Sequence, residues 1–134
     1  MTGQNSAPGS ARYVFRVTFR IEPSARGVSI DPDRFETTLY REAEPPGEDG
    51  WLFFRDHLWH GEIGESAYFR ELAEELLGVP VTSVSFSELR TDEAYLERLE
   101  DEVGENLGEF RSASVERALS KYLGSSIRVV SGGE

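Results

Sequence analysis

"RYVFRVTFRIE", Arg12–Glu22, places an apolar side chain at every odd position from Tyr13 through Phe15, Val17 and Phe19 to Ile21. The even positions carry Arg12, Arg16, Thr18 and Arg20, with Val14 the one interruption. Successive side chains of a strand point to opposite faces, so the segment predicts a half-buried strand with one apolar and one arginine face. A sheet that is wet on one side and covered on the other follows from that alternation.

The flanking segments extend the sheet. "PSARGVSIDPD" turns the chain, "RFETTLYRE" (Arg34–Glu42) has the Thr, Phe and Tyr content of a second strand, and "AEPPGEDG" closes it with two prolines and two glycines. Beyond Glu65, Phe69, Leu72, Ala73, Leu76 and Leu77 recur at helical spacing, with Gly78 placed for a left-handed C-terminus and Pro80 blocking continuation. "VTSVSFSEL" (Val81–Leu89) alternates like a strand. Thr91 or Asp92 can cap a helix with the stripe Leu96, Leu99, Val103 and Leu107. Val115, Ala118, Leu119, Tyr122 and Leu123 mark another helix, ended by Gly124, before the short strand "SIRVV". The expected fold is one α+β domain over residues 12–130, a mostly antiparallel sheet with helices packed on one face. A ferredoxin-like order with additions is the expected topology. Residues 1–11 read as a disordered leader and 131–134 as a tail.

"WLFFRDHLWHGE", Trp51–Glu62, is ambiguous. As a helix capped at Asp49, Trp51, Phe54 and Leu58 would share a face interrupted by Arg55 and Glu62. As a strand it would be central, with a break at "RDH". Its aromatic density and the preceding turn favour the strand, with Trp51 and Trp59 at least partly buried as packing anchors.

Composition narrows the chemistry. The 134 residues carry 14 basic and 25 acidic side chains, a net charge of −11; Lys121 is the single lysine and 19 of the acids are glutamates. Molar salt shortens the Debye length to about 3 Å and screens the resulting self-repulsion. A potassium-rich cytoplasm, with hydrated K+ or Na+ at the acidic surface, is therefore the expected setting. Cysteine is absent, which excludes disulfides, thiolate metal sites and a cysteine nucleophile. No segment has the run of about 18 apolar residues expected of a membrane span. "GEIGES" lacks the lysine of a phosphate loop, and no Gly-x-Ser-x-Gly elbow occurs. His57 and His60, with Asp56, Glu62 and Glu65 nearby, are suitable ligand types, but their spacing matches no zinc pattern. The expectation is a non-enzymatic interaction or accessory protein with no cofactor and no metal, whose partner is another protein.

The alternatives are a small enzyme or metal protein that uses His57 and His60, and an RNA-binding sheet that uses Arg12, Arg16 and Arg20 for phosphates and Tyr40 or Trp51 for stacking. The simpler expectation for these arginines is a cross-strand lattice with Glu36 and other acids. Phosphate-driven binding is also weakened steeply by salt, which disfavours nucleic acid.

Around Leu58, Trp59, Gly61 and Glu62 the sequence resembles the haloarchaeal LWR-salt proteins, named for a Leu-Trp-Arg motif. His60 stands where that motif has arginine. The similarity extends through "GWLFFRD" and "KYLGSSIRV" and covers most of the chain beyond the leader. It implies a halophilic origin and no particular activity. It also argues against a metal ligand at a position that alternates between arginine and histidine. The stretch is then expected to be the structural centre of the fold, with Arg55, Trp59, His60 and Glu62 joining Arg16 and Arg20 as candidate contact residues.

Overall fold

The computed structural model describes residues 9–130 apart from residue 24; of the leader expected over residues 1–11, residues 1–8 lie outside the described residues, as does the tail 131–134, while Ala11 is buried in the first strand. Strand β1 (Ala11–Arg20) is central, pairing antiparallel with β2 (Arg34–Glu42) on one side and with β5 (Val81–Thr91) on the other. β6 (Ile127–Val129) joins β5 in parallel, so the sheet order is β2-β1-β5-β6. The fold is α+β with a mostly antiparallel sheet. The adjacent parallel pair distinguishes this order from the fully antiparallel ferredoxin-like arrangement. Its cause is the long return from β5 to β6 through α3 (Glu93–Glu105), α4 (Leu107–Phe110) and α5 (Val115–Leu123), which brings the chain back in its original direction.

Odd positions of β1 form the covered face. Tyr13 and Phe15 join Phe69, Phe86, Leu89, Leu99, Phe110 and Leu123 in the main core, while Val17 packs with Ala73 and Val81 under α2 (Ser66–Leu77). Burial pushes the Tyr13 phenol well above its usual range, and Tyr95 is pushed up to about 12 by burial and then by Glu44. Both therefore stay neutral, and the Tyr95 hydroxyl donates to the Glu44 carbonyl at 2.6 Å. β5 is not a simple alternation. Irregularities at Val14/Phe15 and Thr18/Phe19 shift its register, which lets Val81, Phe86 and Leu89 all reach the covered side despite their mixed parity.

The ambiguous stretch is neither one strand nor one long helix. Trp51 and Leu52 form a turn, Phe53–His57 make the short helix α1, and Leu58–Trp59 (β3) pair with Glu62–Ile63 (β4) in a separate two-stranded hairpin. The strand reading fails because Phe53–His57 coil into a helical turn, within which neighbouring Phe53 and Phe54 are buried by different partners. Phe53 lies 4.6 Å from Tyr13, and Phe54 stacks 5.7 Å from Phe110. Trp51 is partly buried against Phe54 and Phe110, whereas Trp59 is 53% exposed and touches the core layer through Tyr122. Only the first tryptophan is thus an interior anchor.

The hairpin caps α5. The last four carbonyls of a helix have no partner within it. Here Gly124 N–H donates to Ser120, His60 N–H to Lys121 at 2.8 Å, Gly61 N–H to Tyr122 at 2.9 Å and Ser126 N–H to Leu123. To present both amides, His60 and Gly61 adopt φ of 52° and 78°. A Cβ on Gly61 would lie 3.2 Å from the Leu123 carbonyl oxygen and from Ser126 Oγ.

Asp92 ties the segment before β1 to α3. Its carboxylate accepts from Tyr95 N–H at 2.8 Å as the helix N-cap, and from Gly9 and Ser10 N–H at 3.0 and 3.2 Å. Partial burial opposes its ionisation, but the amide donors together outweigh that effect and hold the carboxyl below its usual range.

Two outcomes are expected. Gly61→Ala forces a left-handed alanine against a carbonyl and should cost about 1–3 kcal/mol by chemical denaturation, whereas His60→Gly, which relaxes a positive φ, should be neutral or slightly stabilising. Asp92→Ala should cost about 1 kcal/mol. Because the folded-state pKa is depressed, Asp92 stabilises the fold above the unfolded value of 3.8, and this contribution disappears as pH falls through the folded value. Melting curves of parent and variant should therefore differ at neutral pH and converge in acid.

Candidate functional site

The helices pack on the odd side of β1, which leaves its even side without a helical cover; Val14 is the buried position of that side, while Arg12 and Arg16 beside it are exposed. Across the sheet, Glu42, Arg12, Arg90 and Arg128 occupy one row of paired positions on β2, β1, β5 and β6. The next row holds Tyr40, Val14 and Glu88, followed by Thr38, Arg16 and Ser85, then Glu36, Thr18 and Ser83, and finally Arg34 and Arg20. Six arginines and three glutamates therefore share one face of a chain whose net charge is −11.

The expected lattice does not form around Glu36. That residue lies opposite Thr18 and, among the described residues, makes no ion pair. Arg20 is instead held by Asp33 at 3.3 Å and Glu22 at 3.9 Å beyond the strand ends, and Arg90 by Glu88 at 2.8 Å. Among the described residues, Arg12, Arg16, Arg34 and Arg128 make no ion pair. Arg12 and Arg90 set their guanidinium carbons 4.6 and 5.7 Å from the Tyr40 ring centre, covering part of a ring that remains 50% exposed. Short Thr and Ser side chains between the arginines keep the face open. Polar tips are thus presented on a rigid support, suited to carboxylates or phosphates.

The remaining candidate residues lie elsewhere. Arg55 on α1 is engaged by Asp56 at 2.9 Å and by Glu109 at 2.7 Å. Trp59, His60 and Glu62 belong to the hairpin that caps α5. Arg16 and Arg20 are therefore not brought together with Arg55, Trp59, His60 and Glu62. His57 is also separate from His60, with Nδ1 3.0 Å from Glu65 Oε1, and among the described residues no group of three or more His, Asp or Glu could hold a metal ion. Arg34, Arg90 and Arg128 were missed by the sequence reading. The alternation around Arg34 and Arg128 hinted at their face, but a bulge resets the parity of Arg90 and only the strand pairing aligns them.

A polar cleft of about 440 Å³ opens beside α1, lined in part by Arg41, Asp49, Trp51, Phe53, Asp56 and His57. Three of its ionisable groups, Arg41, Asp56 and His57, are engaged locally. Arg41 lies 3.7 Å from Glu44 and 4.3 Å from the Phe53 ring, Asp56 binds Arg55, and His57 meets Glu65.

Among the described residues no helix is long and apolar enough to cross a membrane. No curated protein and no solved structure matches the chain. The family model described as "LWR-salt protein" matches residues 9–133. That span takes in the arginine-faced sheet and the capping hairpin, and the chain belongs to the LWR-salt protein family.

Proposed function

We propose that this protein is a non-enzymatic interaction or accessory protein of a high-salt cytoplasm, which docks an acidic protein surface on the open arginine face of its sheet. The observation that carries this reading is the row Arg12, Arg90 and Arg128 on three adjacent strands. Like charges directly opposite on neighbouring strands oppose sheet formation, and an anionic partner relieves that opposition. Planar guanidinium groups pair with carboxylates in two-point geometry, so short-range contacts survive when salt has removed long-range attraction. Single-stranded nucleic acid is less suited. Tyr40 is the aromatic of this face, and its ring already carries two guanidinium groups. The acidic remainder of the surface supports the high-salt setting, with hydrated potassium or sodium ions around its carboxylates.

The expected partner is an acidic protein recovered from native lysate in molar potassium chloride and identified by mass spectrometry. Replacing Arg12, Arg16 and Arg128 together by Glu should weaken its purified complex by more than about tenfold while leaving the circular dichroism spectrum unchanged. Equal affinity of parent and variant excludes this face. Tight binding of oligouridine, lost in the same variant, replaces the protein partner with RNA.

Thermal melts test the setting separately. The melting temperature should climb between about 0.1 and about 3 M potassium chloride as the charge of −11 is screened. A flat or falling response removes the physical case for salt adaptation.

A further inference from the structure

Strand β2 ends the sheet on one side, and its nine residues present an open edge. The Ile21 amide bonds the Asp33 carbonyl and the Ala43 amide bonds the Ala11 carbonyl, which places the odd positions of β2 in hydrogen-bonded pairs with β1. The amides and carbonyls of Arg34, Glu36, Thr38, Tyr40 and Glu42 therefore point outward along the edge. Beside this edge lies an apolar strip. Tyr68, Leu72 and Leu76 run along one side of α2, and Leu76 is 74% exposed. The opposite side of α2 is fixed over the start of β5, where Glu74 Oε2 accepts from Val81 N–H at 3.0 Å. Tyr68 stacks on His57, which touches Phe53, and Arg41 of β2 sits over the Phe53 ring. The strip consequently faces β2, whose 36% exposed Phe35 and partly buried Leu39 lie on the same side of the sheet.

We propose that two copies of this chain join antiparallel through their β2 edges about a two-fold axis at Thr38, forming one continuous eight-stranded sheet. The sequence of the strand favours this partner. Pairing the whole strand with itself at that register sets Arg34 opposite Glu42 of the second copy, twice, and Glu36 opposite Tyr40. The same register sets Phe35 opposite Arg41 on the covered side, beneath the two α2 strips. A register moved by two residues toward the C-terminus would instead oppose Glu36 and Glu42. Within one copy Arg34 faces Arg20, an unfavourable neighbour that Glu42 of the second copy offsets. Self-association creates an isologous interface and covers an otherwise adhesive edge. It shares Arg34 and Glu42 with the arginine face but does not rest on that reading, because the open backbone edge of β2 and the apolar strip on α2 carry it. The charge of −11 on each copy opposes the pair in dilute buffer, so salt strengthens it.

Sedimentation equilibrium of the full chain in about 0.2 and about 3 M potassium chloride tests the proposal. The expected mass in high salt is twice the 15.0 kDa of one chain. Leu76→Glu should shift the equilibrium toward monomer by at least about tenfold, since the side chain is exposed in a single copy and its replacement spares the core. Arg34→Glu and Glu42→Arg should each weaken the dimer, and the double exchange should restore it, with circular dichroism confirming that every variant is folded. A monomer at both salt concentrations overturns the proposal, as does a dimer insensitive to Leu76→Glu and to the charge exchange. If the parent stays monomeric and a different purified protein binds in a Leu76-dependent way, the edge belongs to that partner and self-pairing is excluded.

Discussion

Every later feature of the fold depends on β1 lying in the middle of the sheet with its two faces chemically opposed. Tyr13, Phe15 and Val17 need an apolar cover, so the helices gather above them. Arg12 and Arg16, on the reverse side, need water or an anionic neighbour, and no helix can settle there without burying unpaired guanidinium groups. One-sided coverage thus follows from a ten-residue alternation. It explains how a strongly acidic chain keeps a concentrated cationic surface without losing its core.

The hairpin of β3 and β4 solves a second problem. Helix α5 ends near the surface with carbonyls that require donors, and a short segment from the middle of the chain supplies two of them through its own backbone. Leu58 buries one end of this device while Trp59 remains outside against Tyr122. The Leu-Trp pair therefore marks a structural clasp, with one side chain facing each environment. Residue 60 contributes its amide to the clasp, leaving its side chain exposed beside Trp59.

Elements with a strong period or explicit punctuation were legible in the sequence. The second strand has the expected bounds, α2 ends at a left-handed Gly78, and Asp92 caps α3. What could not be read depended on contacts between distant segments. Five residues of α1 are too few to display a helical period, and adjacent Phe53 and Phe54 mimic a doubly buried strand. In β5 the bulges change which parity faces inward, so strict alternation hides Leu89 and Arg90 from their proper faces. Half of the arginine face was visible along β1. The other half required the sheet order and register, which no local pattern encodes.

The central position of β1 also bears on how the protein is made. β1 precedes both of its neighbours in the chain yet lies between them in the sheet, and its second neighbour, β5, is not complete until residue 91. On the ribosome, β1 can pair early with β2, but the resulting ribbon exposes Tyr13, Phe15 and Val17 until the rest of the chain arrives. Closing so long a loop makes folding slow compared with a helical bundle of similar size. A nascent ribbon of this kind is prone to association with other chains. Arginines on its reverse face and the acidic segments that follow give those unfinished chains charge and solubility before their core exists.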